Sequence, residues 1–435
     1  MSLLTALNTG TTGMAASSQN LSVIGDNIAN ANTIGFKEGR AAFEDALVQE
    51  VIGTPGGGQL GDGVNLQAIQ RIITQGALTQ TGISTDLALQ GSGQFVVKGN
   101  LNGVQSQFYT RDGQFTVDKS GYLVNLVGLR LQGYPADSKG VVQGGLGDLL
   151  VGTASANANP TKAITMKGNL AADAPISNTP AFDPLDPTGT SNTQSSVTVY
   201  DSLGQAHTVD VYYRKTAAGT WDYHAMTDGA GLTGGTPGVA TEIASGTLTF
   251  DANGKLTTQV DNPPSFNPIG ATNPQPLTFN FGDPTSTGGT GVAGFTQFGG
   301  TNGVSSTTFT GQDGNGYGSL SSVTINNKGE VEGSFTNGST RVLGQVAVAD
   351  FKAADKLQRV SGNLAIETTD SGQPTIGEPA SGGRGSIASG ALEQSNVDLA
   401  GEFVNMISAQ RAFQANSKTI TTADSLLGEL MQLKR

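Results

Sequence analysis

Apolar side chains recur every seven residues at both ends of this chain, and that spacing limits the fold more than any other feature. Leu7, Met14, Leu21 and Ile28 make one row; Leu399, Met406, Phe413, Ile420 and Leu427 make the other. Such spacing places each row along one seam of a slightly supercoiled helix. It predicts helices within 1–30 and 396–435, the second widened by Phe403, Ile407, Leu430 and Met431. Ser395, with Asp398 three residues on, reads as a variant capping box that starts this second helix.

The first helix is weak by itself. Gly10, Gly13 and Gly25 each cost about 1 kcal/mol relative to alanine. Thr5, Thr9, Thr11 and Thr12 lose side-chain freedom in a helix. Asp26 is its one charged side chain before Lys37. As a helix, residues 2–30 would span about 43 Å, a rod that forms only when its apolar face is packed. The simplest partner is the other terminal helix, giving a coiled-coil-like hairpin. Taken alone, the two rows read equally as the core of such a hairpin on a globular domain. Two helices rich in alanine, serine and glycine leave apolar surface uncovered, which points beyond one pair to sister copies.

Inward from the ends, turn chemistry takes over. Asn102-Gly103, Asp112-Gly113, Ser120-Gly121, Asn253-Gly254 and Asn327-Lys328-Gly329 each separate short apolar runs. Short alternating runs joined by such pairs are hairpin signals. The interior is therefore expected to be all-β, in sandwich or barrel units. Of 16 prolines, five lie between Pro160 and Pro187 and six between Pro263 and Pro284. Proline cannot donate to a sheet ladder, so these clusters mark linkers or edges around the strand-like stretches 197–213 and 221–258. The expected order is nested: terminal helices 1–30 and 396–435, an extended connector 31–70 and 380–395, an inner β domain 71–147 and 305–379, and an inserted outer β domain 148–304. The stretch 281–318, rich in Gly, Thr and Ser, reads as a long loop or ragged strands.

Composition narrows the chemistry. The chain has 63 glycines in 435 residues, about twice the usual ~7%, and its charged fraction of 13% is half the usual ~25%. A net charge of −12 gives no electrostatic drive toward nucleic acid or anionic lipid. Cysteine is absent, which removes disulfides, thiolate metal sites and cysteine nucleophiles. No run reaches the ~18 apolar residues of a membrane span, and the N-terminus lacks the features of a cleavable signal peptide. The acidic loops at Asp251 and Asp313 lack the twelfth-position glutamate of a calcium loop and read as hairpin turns. Gly56-Gly57-Gly58 and Gly61-Asp62-Gly63 have no Gly-Lys-Ser/Thr and read as a flexible connector rather than a phosphate loop. His207 and His224 fall in strand-like segments as possible cross-strand neighbours, too few for a metal site. No catalytic, cofactor-binding or metal-binding residues are expected, and no cofactor; the chain does not read as an enzyme.

Two long motifs add a resemblance. Asn27-Ile28-Ala29-Asn30-Ala31-Asn32-Thr33-Ile34-Gly35-Phe36-Lys37 resembles the N-terminal signature of the bacterial flagellar rod and hook protein family. Gly390-Ala391-Leu392-Glu393-Gln394-Ser395-Asn396-Val397-Asp398-Leu399, followed by Gln410-Arg411-Ala412-Phe413-Gln414-Ala415-Asn416-Ser417, resembles its C-terminal signature. Within the family the hook type is nearest. Val199-Tyr200-Asp201-Ser202-Leu203-Gly204 with His207, and Leu343-Gly344-Gln345-Val346-Ala347, resemble its outer and inner β domains. Gly401 departs from the pattern and should soften the first turns of the last helix.

The resemblance implies a structural subunit of a flexible tubular homopolymer at the cell surface, a universal joint passing motor torque to the filament. It implies export through the type III gate without a cleavable leader, and contact with distal rod, hook cap and hook–filament junction proteins. The subunit interface is then expected at Leu7, Met14, Leu21, Ile28, Leu399, Phe403, Met406, Phe413, Ile420 and Leu427. The flexible connector is expected at Gly35, Gly39, Gly53, Gly56, Gly57 and Gly58. A distal rod subunit is the alternative within the family, and a secreted β-rich tube or adhesin the alternative outside it.

Overall fold

A computed structural model describes residues 3–46, 49–51, 58–101, 103–177, 180–299 and 304–433. Two terminal helices flank a β-rich body of several sheets: α1 spans Leu3–Ala29 and α2 spans Leu399–Leu433. The cap of α2 is Asp398, not Ser395. The Asp398 carboxylate accepts the Ala400 amide at 3.0 Å, and its carbonyl accepts the Glu402 amide at 2.9 Å as the first helical bond. Ser395 caps nothing helical because its hydroxyl turns to the Val397 amide within still-extended chain.

The chain divides into two compact units. The first holds 1–154, 322–334 and 340–435. In it α1 and α2 pack together, and two of the three glycines that weaken α1, Gly10 and Gly13, sit at the contact while Gly25 is exposed. A β-carbon on Gly10 would lie 2.8 Å from the Ile420 side chain, and one on Gly13 2.7 Å from the Asn416 amide. What costs helix propensity thus permits close approach of the two helices.

A long antiparallel hairpin runs back beside α1. Strands β1 (Gly39–Asp45) and β4 (Val64–Arg71) pair, as do β2 (Gln49–Val51) and β3 (Gly58–Leu60). Asn27 fastens its base, donating to the Gly39 carbonyl at 2.8 Å and accepting the Gly39 amide at 2.9 Å. Asn8 reaches Asp62 at 3.2 Å further along. The largest sheet of this unit runs from Thr340–Val346 through Arg130–Pro135, Gln94–Leu101 and Val104–Thr110 to Leu364–Ile366, and two two-stranded ladders pair Leu87–Gln90 with Ser386–Ser389 and Leu78–Gln80 with Ala391–Glu393. Phe95 and Phe115 meet edge to face at 5.4 Å in its core.

The second unit holds 155–321 and 335–339. Its main sheet is a five-stranded antiparallel meander, Thr193–Tyr200, Ala206–Ala217, Thr220–Asp228, Ala240–Phe250 and Leu256–Asp261. A smaller sheet sets Ala163–Asn169 parallel to Thr278–Asn280 and antiparallel to Ser306–Gln312. The stretch 281–318 thus contributes short strands. Trp221, Tyr213, Tyr223, Phe281 and Phe295 fill the core. The acidic loops close on the chain itself: Asp251 accepts the Asn253 and Lys255 amides, and Asp313 accepts those of Lys162 and Ala163.

The histidines are not cross-strand neighbours. His207 stands opposite Val199, and His224 opposite Tyr212. Each takes its own carboxylate, Asp201 at 3.1 Å and Glu242 at 3.0 Å. Burial pushes the Asp201 carboxyl up, but His207 and the Gln205 and Leu203 amides outweigh it and hold its pKa low. A carboxyl lowered in the fold stabilises above the ordinary value of ~4 and loses that contribution as pH falls through its folded value. Asp201→Asn should therefore flatten the acid limb of this unit's stability as pH falls below about 4, measured by melting across pH; an unchanged limb would refute the assignment.

Candidate assembly surface

α2 presents more apolar surface than α1 covers. Leu399, Phe403, Val404, Ile407, Phe413, Leu426 and Met431 remain 37–75% exposed. Of the sequence-predicted interface residues, Leu7, Met14, Leu21, Ile28, Met406, Ile420 and Leu427 are half-buried, while Leu399, Phe403 and Phe413 face outward. The buried positions of α2 form a different seven-residue row: Glu402, Ala409 and Ala423, with half-buried Asn416 between them. On α1 the buried residues are Gly10, Ala16, Val23, Ile24 and Asn27. Reading large apolar residues alone misses this row of small and polar ones, although its period is the same.

Of the expected connector glycines, Gly35 and Gly39 are held in place rather than loose. Gly35 has φ +68° and donates its amide to the Glu393 carbonyl at 2.8 Å. A β-carbon there would come within 2.7 Å of the Arg111 backbone, so Gly35 is packed rather than free. Gly39 is held by Asn27 and would place a β-carbon 3.5 Å from Val23. Gly58 opens β3 opposite Val51. Gly53, Gly56 and Gly57 lie outside the described residues.

Beside Gly35 lies an ionic cluster that sequence reasoning missed. Glu393 is fully buried and receives Lys37 at 2.5 Å, Arg111 at 3.1 Å and the Gly76 amide at 2.9 Å. Lys37 also donates to the Thr74 carbonyl, and Arg111 to that of Gly91. Burial lowers the Lys37 pKa against the opposing pull of Glu393. Lys37 and Glu393 each stand inside one of the two terminal motifs, which was the available signal; nothing local points to Arg111. Among the described residues no group of His, Asp and Glu is placed to hold a metal, and no helix is long and apolar enough to cross a membrane.

Comparison with known proteins agrees along the whole chain. Residues 7–37 match the family described as flagella basal body rod protein, and 88–172 match the flagellar hook protein FlgE/F/G D1 domain. Residues 169–317 match the flagellar basal body protein FlaE D2 domain, and 388–433 the flagellar basal body rod FlgEFG protein C-terminal family. The flagellar hook protein FlgE of Escherichia coli is 35% identical over 99% of this chain and 100% of its own length. That of Borreliella burgdorferi is also 35% identical, over the same shares. A crystal structure of the Helicobacter pylori flagellar hook protein FlgE2 superposes at TM-score 0.47 and 14% identity, over 73% of this chain and 100% of that one. On full-length identity to hook proteins, with four flagellar families matched between residues 7 and 433, this chain belongs to the flagellar hook protein family and is a hook subunit.

Proposed function

We propose that copies of this chain assemble into a tube through their terminal helices, and that the tube is a bendable joint outside the cell passing torque from motor to filament. The carrying observation is the outward apolar row of α2, which its own α1 leaves uncovered. Contacts between copies that do not close produce an open helical filament. In this reading α1 and α2 form a coiled-coil-like pair, 1–30 with 396–435, lining a central channel. Leu7, Met14, Leu21, Ile28, Leu399, Phe403, Met406, Phe413, Ile420 and Leu427 lie along or beside the seams. The inner β domain, 71–147 and 305–379, and the inserted domain, 148–304, complete each subunit. Bending is taken up by the connector, 31–70 and 380–395, and by sliding between weakly charged β domains. Export is through the type III gate, and the tube's ends meet distal rod, hook cap and hook–filament junction proteins. The role is structural rather than catalytic.

The test is electron microscopy of the purified chain under assembly conditions. Wild type should give curved tubes. A Phe403→Asp, Phe413→Asp double variant, whose changes fall on outward positions, should keep its monomer melting temperature within about 2 °C and raise the critical concentration at least tenfold. Normal tubes from the variant would refute the seam.

A further inference from the structure

Four cations converge around Phe36 at the base of the helices: Lys37, Arg71, Arg111 and Arg359 line one small cavity there. Two carboxylates answer them. Glu393 takes Lys37 and Arg111, and Asp26 takes Arg359 at 3.1 Å, while the Arg359 guanidinium also lies 4.9 Å from the centre of the Phe36 ring. Arg71 is left over. It is half-buried at the end of β4, and no carboxylate or hydrogen-bond acceptor among the described residues engages its side chain. It opens instead onto a solvent-connected cavity of about 440 Å³ between α1 and β4, shared with Arg359 and Asp26. This concentration of positive charge stands out in a chain of net charge −12 with 35 acidic and 23 basic side chains.

We infer that this cavity is an incomplete carboxylate site, filled on assembly by an acidic side chain of a second copy of this chain. Guanidinium groups match carboxylates through paired N–H donors, and two arginines at one cavity favour such a guest over a neutral one. A second copy is the source because the chain carries 35 acidic against 23 basic side chains, an excess that complements the two arginines of this cavity. Ile69, 56% exposed, adds an apolar lip to the same cavity. Burial and the neighbouring Arg359 bring the Arg71 pKa down to about 10, against only partial relief from Asp26, as expected of a cation awaiting a counter-charge. This inference rests on the assembly reading above.

Arg71→Gln in the full chain separates the two. The monomer should melt at or slightly above the wild-type temperature, since repulsion from Arg359 is removed and no bond is lost. The critical concentration for tubes should rise about tenfold. A monomer that melts several degrees lower would overturn the inference by revealing a partner within the chain. Assembly at the wild-type concentration would overturn it while leaving the tube intact, and a wild type that never forms tubes would remove both. Arg71→Lys tubes treated with a water-soluble carbodiimide identify the guest: an inter-chain amide from position 71 to an acidic peptide is expected, and linkage to Asp26 of the same chain alone overturns the inference.

Discussion

Glu393→Ala should cost the first unit about 3–5 kcal/mol, because it strands two buried cations without a counter-charge. The carboxylate is fully buried, and removing it also orphans the Gly76 amide. At roughly 2–4 °C per kcal/mol for a unit of this size, melting should fall by about 6–20 °C. Hydrogen exchange should localise the loss to α1, α2 and the segment around Gly35, because Lys37, Arg111 and Glu393 join chain positions hundreds of residues apart. A triple replacement of Lys37, Arg111 and Glu393 by methionine is the control: with no charge left to strand, it should recover most of the loss. A Glu393→Ala chain melting within 2 °C of wild type would show that the cluster is not holding the ends of the chain to the body.

Trp221→Ala should cost the second unit a similar ~3–5 kcal/mol, for a different reason. Trp221 is wholly buried, opposite Lys215 on one side and Leu248 on the other, in the middle strand of the meander. Nearby Tyr223 lies 4.7 Å and Tyr213 5.9 Å from Phe281, and this interlocked group cannot collapse into an indole-sized void without moving several rings. Peptide-resolved hydrogen exchange should show accelerated opening across 206–250. A loss below about 1 kcal/mol would mean that the core relaxes far more freely than its packing suggests.

What was legible from sequence was local and periodic. The seven-residue rows gave both helices because helical phase is set by near neighbours, and the left-handed turns at Gly121, Gly254 and Gly329 were legible because their φ values of +87°, +75° and +75° need glycine. Asp112-Gly113 carries the same letters for another cause. Gly113 is not left-handed; a β-carbon there would lie 1.6 Å from the Leu87 carbonyl oxygen. The cap at Asp398 was displaced from Ser395 because strand pairing of Ala391–Glu393 with Leu78–Gln80 carries the extended chain further than propensity suggests. The histidine pairing failed because register was not set by the strand pattern alone. Three features stayed hidden: the Glu402–Ala409–Asn416–Ala423 row, the parallel pairing of Ala163–Asn169, and the ionic cluster. In each, the deciding neighbour is distant in sequence, or the side chain is too small or too polar to register as core.

The start and finish of the second unit's main excursion meet: Ser155 stands opposite Ser319 and Ala156 opposite Gly318 on one short ladder. Antiparallel partners of this kind bring their Cα atoms within about 4.5–5.5 Å. The two ends of the 155–321 stretch therefore adjoin, and a guest module whose own termini adjoin can be spliced there without rerouting the backbone on either flank. That junction is accordingly a place to graft display modules while leaving the sequence of both terminal helices untouched.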